Sequence, residues 1–249
     1  MRKVLQSFPI VLVILGLLSL SNSVLASPAE LLSSLQQMRL ATTNAVTNFY
    51  MFSGLEADSK YNRLIDNSIS KFEAALERAK EPADAAKMTD DLKSIQEQWA
   101  ILIDLINTNR SDIIKQGFAN TRLVDQMGRT SLALTKTISQ TYQRTEEVTR
   151  IKLSAAIQKS RELAVLMEDI TSQYAARGTS SLGHVFMGSF ERTLNEEADE
   201  FNKKLAELSK TLTTKETDYL INNIQSKWRF MESRIRNFNE RTVPFLVVS

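Results

Sequence analysis

Apolar side chains recur at alternating intervals of three and four along most of the chain, the spacing by which packed helices present one face to their neighbours. A first stripe runs through Leu31, Leu35, Met38, Thr42, Ala45, Phe49 and Phe52, with Ser27 or Pro28 at its start and Gly54 beyond its end. A second follows Ile65, Ile69, Phe72 and Leu76 and is expected to stop near Glu81-Pro82. The third is Met88, Leu92, Ile95, Trp99, Leu102 and Ile106, before the polar Asn107-Thr108-Asn109.

From Ser111, a candidate N-cap, apolar positions continue through Leu123, Met127, Leu134, Ile138, Tyr142, Val148, Ile151, Ala155, Leu163, Met167, Ile170 and Tyr174 without a proline. The next break is Arg177 to Gly183, so the pattern allows one connecting helix of about 65 residues, on the order of 100 Å long. Gly117 and Gly128 are places where it can kink or be interrupted. Two further stripes follow: Phe190, Leu194, Phe201, Leu205, Leu208, Leu212, and then Ile221, Ile224, Trp228, Met231, Ile235, Phe238.

The two halves are related at an ungapped offset of about 129 residues. Met38 falls on Met167, Gly54 on Gly183, Phe72 on Phe201, Leu76 on Leu205, Ile95 on Ile224, Trp99 on Trp228 and Ile106 on Ile235. In-phase helical stripes produce Leu/Ile matches on their own. Matched Trp, Phe and Gly positions are harder to obtain that way and point to an internal duplication. The expected fold is therefore all-α: two tandem up-and-down helical bundles joined by a long helix, one over residues 27–145 and an incomplete one over 146–249. Trp99, Trp228, Phe72 and Phe201 are its expected core anchors, since large aromatic rings bury the most apolar area at a helix crossing. The apolar end from Arg241 to Val248 is left to pack on the bundle or on a partner.

Composition agrees with the helical pattern. Of 249 residues only 7 are Gly and 4 Pro, too few turn formers for a β fold. Residues 1–26 have Arg2 and Lys3, an apolar core from about Phe8 to Leu18, a polar SNS and small exit residues, the layout of a secretory signal peptide cut before Ser27. The apolar run is short for a membrane span, although an uncleaved inner-membrane anchor is the alternative. Removing this segment takes away two basic residues, leaving 29 basic against 29 acidic, so the charge excess gives no nucleic-acid footprint. Export without cysteine suggests a bacterial periplasm.

Chemistry-bearing residues are few. With no Cys and one histidine, His184, most nucleophile–base sets and metal sites are excluded, and no cofactor or metal is expected. Glu191, Glu196, Glu197, Asp199 and Glu200 are read as a solvated acidic face. The Ser/Thr run at Ser131, Thr135, Thr137, Ser139, Thr141 and Thr145 weakens the apolar stripe. It suits a bend, close packing on a second copy, or a loosely packed connector.

The segments Met38-Arg39-Leu40-Ala41 and Phe49-Tyr50-Met51-Phe52-Ser53-Gly54-Leu55, with Arg161-Glu162-Leu163-Ala164-Val165-Leu166-Met167 in the second half, resemble the PilJ/NarX-like N-terminal sensing domain. The resemblance covers most of residues 30–240 and implies a periplasmic helical input module in signal transduction. It makes Arg39 and Arg161 candidate ligand-binding residues. In that family's nitrate-responsive members, first-helix arginines from two subunits hold the anion. Leu32, Gln37 and Leu166 stand at matching positions here, and neither Leu nor Gln replaces a guanidinium fork, so nitrate recognition does not carry over. The expected partners are a small anion or metabolite, a membrane receptor or another periplasmic protein, or a second copy in a homodimer. The rival reading is a structural or chaperone-like periplasmic helical protein without a small-molecule site.

Overall fold

The computed structural model describes residues 27–178, 192–212 and 214–237. Among them there are seven helices and no strand, so the protein is all-α: α1 (Pro28–Gly54), α2 (Ser59–Ala85), α3 (Thr89–Gln116), α4 (Thr121–Thr149), α5 (Ala155–Gly178), α6 (Leu194–Thr211) and α7 (Lys215–Arg236). None is long and apolar enough to cross a membrane. The stretch 1–26, His184 and the apolar C-terminal end lie outside the described residues.

Local chemistry explains most boundaries. Ser27 caps α1, its hydroxyl accepting from the Glu30 N–H, and Pro28 supplies the preset φ of a first helical residue. Asp58 and Asn120 cap α2 and α4 in the same manner. Thr193 and Glu196 form a reciprocal capping box at the start of α6. Gly117 ends α3 in the left-handed region (φ 84°) and returns its N–H to the Ile113 carbonyl at 2.9 Å. A Cβ on Gly117 would meet nothing within 4 Å. Gly117→Ala is therefore expected to cost only the backbone penalty, about 1 kcal/mol, read as a small drop in melting temperature.

Helix α1 packs against α2 and α4, and α3 closes the ring by packing on both of them. The short connections make successive helices antiparallel. Tyr61, Ile65, Phe72, Ile95, Trp99, Leu102, Met127, Leu134 and Ile138 fill the interior with the apolar face of α1. Helix α5 then lies along α1, parallel to it, as the Gln36–Arg161 and Asn44–Glu168 contacts show. Helix α6 packs on α5, and α7 on α6. With neighbours on several sides, α1 is buried around its circumference, continuously from Ala45 to Phe52, so it shows little amphipathicity.

Two cores result. The first belongs to α1–α4 but also takes Ala175 and Ala176 from the end of α5. The second joins Leu163, Leu166, Ile170 and Tyr174 of α5 to α6 and α7. Helix α5 thus contributes to both. The four aromatic anchors are buried as expected. Phe72 stacks on Trp99 at 3.7 Å between centroids (10° interplanar), and Phe201 lies against Trp228 at 4.1 Å (36°). The two pairs are related by the same offset as the sequence repeat. The indole N–H of Trp228 donates to Asn202 Oδ1 at 2.7 Å, whereas that of Trp99 is buried without a partner.

Several expectations are corrected. The connecting helix of about 65 residues does not exist: its span is divided between the end of α3, α4 and α5, with breaks at 117–120 and 150–154. Ser111, expected as an N-cap, lies inside α3, which runs on through Asn107-Thr108-Asn109 to Gln116. Asn109 is tolerated there, fully buried, because its amide donates to the Leu105 carbonyl at 2.8 Å. At the second break Arg150 adopts φ 54° and Ser154 Oγ accepts from the Ile157 N–H. An apolar phase carried across a left-handed arginine is invisible to a periodicity count. Helix α2 does not stop at Pro82 but continues to Ala85, since a proline in the last turn forfeits only one late hydrogen bond. Ile224, paired with buried Ile95 in the repeat, is exposed, because among the described helices α7 packs chiefly on α6. Tyr219, Leu220 and Phe230 are exposed on the same helix.

Candidate functional site

The two arginines singled out in the sequence meet across the α1–α4–α5 seam. Both lie against the ring of Tyr142, Arg39 at 4.9 Å and Arg161 at 5.8 Å from its centroid. Arg161 Nη1 donates to the Tyr142 hydroxyl at 2.9 Å, and Arg39 donates to Ser139 Oγ at 3.4 Å and to the Gln36 side-chain carbonyl. Gln36 in turn donates to the Arg161 backbone carbonyl at 3.2 Å. Burial depresses the Arg39 guanidinium from its ordinary value, against the opposing pull of Tyr142 and Asp169. This cation–π and hydrogen-bond knot holds α5 on the first four helices, and it leaves Arg39 Nε buried without a partner.

Beyond it, on the same seam, lies a cleft of about 660 Å³. Thr43, Val46 and Tyr50 of α1 form its floor, and Ser131, Leu132, Thr135 and Ser139 of α4 form one wall. The opposite wall is Val165, Leu166, Asp169, Ser172 and Gln173 of α5, with Arg192 and Glu197 at the start of α6. Its volume is in the range of small-molecule sites, and its lining mixes apolar walls with a few polar groups, as such sites do.

The Ser/Thr run of α4 thus acquires a role that none of its three sequence readings supplied. Thr137, Ser139, Thr141 and Thr145 return their hydroxyls to carbonyls one turn back, so the polar stretch is satisfied within a helix that runs unbroken from Thr121 to Thr149. Small side chains at Ser131, Thr135 and Ser139 leave the space that Leu or Phe would fill.

The carboxylates are the electrostatic centre. Burial, with the nearby Glu168 charge, pushes Asp169 up to about 6 against the opposing pull of Arg39 and Arg192. Glu197 is pushed up to about 8 by burial and then by Asp169, with Arg192, Arg177 and the Gln173 amide opposing. Near neutral pH the pair therefore holds about one negative charge, mostly on Asp169. Gln173 Nε2 donates to Glu197 Oε1 at 2.6 Å. The other oxygens, Gln173 Oε1 and Glu197 Oε2, are buried without a partner.

Glu197 therefore departs from the expected solvated acidic face: it is 6% exposed. The remaining described members do face outward, Glu196 in the capping box, Asp199 toward Arg236 and Glu200 toward Lys204. A signal for Glu197 was present, since it falls in phase with Leu194, Ala198, Phe201 and Leu205, a carboxylate on an apolar stripe. Gln173 is likewise in phase with Ile170 and Tyr174. Asp169 gave no such signal, because its burial arises from the packing of α5 on α1. Arg39 and Arg161 are not among the cleft-lining residues, although the Arg39 charge acts on Asp169. Among the described residues no group of three or more His, Cys, Asp or Glu is placed to hold a metal ion. No protein-family model, curated protein or solved structure matches the chain.

Proposed function

We propose that this chain is an exported, non-catalytic sensor-like module that binds a small ligand in the α1–α4–α5–α6 cleft and acts in signal transduction. The observation that carries this reading is the cleft itself, with unpartnered buried oxygens on one wall. Protein interiors seldom leave such groups unsatisfied without a structural or functional reason. The signal-peptide layout of residues 1–26 supports export to the periplasm, and the resemblance to PilJ/NarX-like sensing domains supports an input role.

The mechanism is a choice between packings. Helix α4 forms one wall of the cleft, while α5 and α6 form the other, and α5 belongs to both cores. A ligand spanning the cleft favours the spacing at which both walls touch it, and only such differential binding shifts a conformational equilibrium. A receptor or a second copy would read that spacing.

Thermal melting against anions, amino acids, amines, sugars and divalent cations tests the reading. A ligand bound only by the folded state at 100 times its dissociation constant adds about 2.7 kcal/mol, an unmistakable concentration-dependent rise. A flat response across every class on folded protein favours the structural or chaperone-like alternative, for which the exposed Tyr219, Leu220, Ile224 and Phe230 on α7 are the specific observation.

A further inference from the structure

The cleft also indicates what kind of ligand it takes. Resting on the small-ligand reading above, we propose that it binds a zwitterionic amine, an amino acid or short peptide. The ammonium is held by Asp169, Gln173 and Glu197, and the carboxylate faces Lys136 and Arg192.

Three acceptors on one wall match the three N–H donors of a primary ammonium, which has no acceptor of its own. Gln173 is 1% exposed and its side-chain carbonyl is unpartnered; Glu197 is 6% exposed and its second carboxylate oxygen is unpartnered too. Both residues line the cleft, together with Asp169, for which no hydrogen bond or ion pair is formed among the described residues. An anion or a neutral carbonyl ligand would leave the Gln173 oxygen unsatisfied and meet the Asp169 charge, both unfavourable in a partly desolvated site. Lys136 on the α4 wall and Arg192, whose charge also acts on Asp169 and Glu197, are the cationic side chains of the lining, and both are exposed. Val46, Leu132, Val165 and Leu166 add apolar surface to the same lining. Acceptors, cationic side chains and apolar surface lining one cleft are complementary to the ammonium, carboxylate and carbon skeleton of such a zwitterion.

A cation placed beside Glu197 also favours its ionised form, so binding near neutral pH is expected to release a proton. Asp169, Arg192 and Arg177 are the other charged groups that act on it.

The decisive experiment is calorimetric titration of the whole protein with glycine, L-alanine, L-leucine and the dipeptide Ala-Ala. Matched probes are propionate, isobutylamine and magnesium chloride, and the amino acid runs are repeated in Tris and in phosphate. Binding is expected for one or more zwitterions, at least tenfold tighter than for propionate, with a buffer-dependent heat that reports proton release. Asp169→Asn is expected to weaken it at least tenfold and Gln173→Leu at least fivefold, with both variants melting cooperatively. If Gln173→Leu fails to fold, the near-isosteric Asp169→Asn still decides. Preferential binding of propionate, sugars or magnesium, or zwitterion binding indifferent to Asp169→Asn, overturns this assignment and leaves the sensor reading standing. Binding by no class of small molecule overturns both.

Discussion

Phe72→Ala is expected to lower the unfolding free energy by about 3–5 kcal/mol, the largest effect of any single substitution considered for this chain. The ring is fully buried and lies flat on Trp99, so truncation removes the apolar area, the stacking contact and the support beneath an indole whose N–H has no partner. The pair also joins α2 to α3, two helices whose mutual contact is otherwise narrower than that of α1 with α2. Urea unfolding measured by tryptophan fluorescence reads the change directly. Ile224→Ala is the matching control. Although Ile224 stands at the repeat position of buried Ile95, it is exposed, and its truncation is expected to cost under about 0.5 kcal/mol. Equal effects at the two sites would refute the described packing of α7.

The second large effect is a loss of stability as pH rises. Asp169 and Glu197 are raised in the folded state above their ordinary carboxylate values, to about 6 and about 8. The folded protein therefore holds protons that the unfolded chain has released. The stability linked to these two groups is complete below about pH 4, where both states are protonated. It declines between about pH 4 and 8 as the unfolded chain ionises more readily than the cleft does. Melting temperature is expected to be higher at pH 5.5 than at pH 8.5. Glu197→Gln removes the larger share of this dependence and is expected to stabilise the protein at pH 8.5 by on the order of 2 kcal/mol, a figure reduced for the open side of the cleft. In a domain of this size that is roughly 4–8 °C. At pH 5.5 the same substitution is expected to be nearly neutral. A destabilising Glu197→Gln at pH 8.5 would mean that Glu197 is held ionised by Arg192 and Arg177, the reverse of the assignment made here.

These two cases also separate what was legible in the chain from what was not. Helical class, the buried Phe and Trp anchors and their pairing at the repeat offset follow from spacing alone, because a core face must recur with the period of the helix whatever it packs against. Arg39 and Arg161 were legible as residues of interest but not as neighbours of one tyrosine. Their meeting depends on α5 lying along α1, a contact between segments more than a hundred residues apart. The break at Arg150 was missed because a left-handed arginine carries no residue-type signature, unlike Gly117 at the other break. Glu197 carried a signal in its phase, overridden by the ordinary expectation that a run of acids is solvated.

Sequence by itself determined that this protein is built of amphipathic helices around aromatic anchors, and that it holds no Cys and a single His. The tertiary structure alone decided that α5 leaves α4 to lie along α1. The opening left between α4 and the α5–α6 pair is a cleft, and two carboxylates and an amide, unremarkable on their own helices, converge on one wall of it. The physical reason is one of range. Helix formation and burial periodicity are set by neighbours three or four positions away, whereas the charge state and the unsatisfied oxygens of a site are set by which helices come to share a seam.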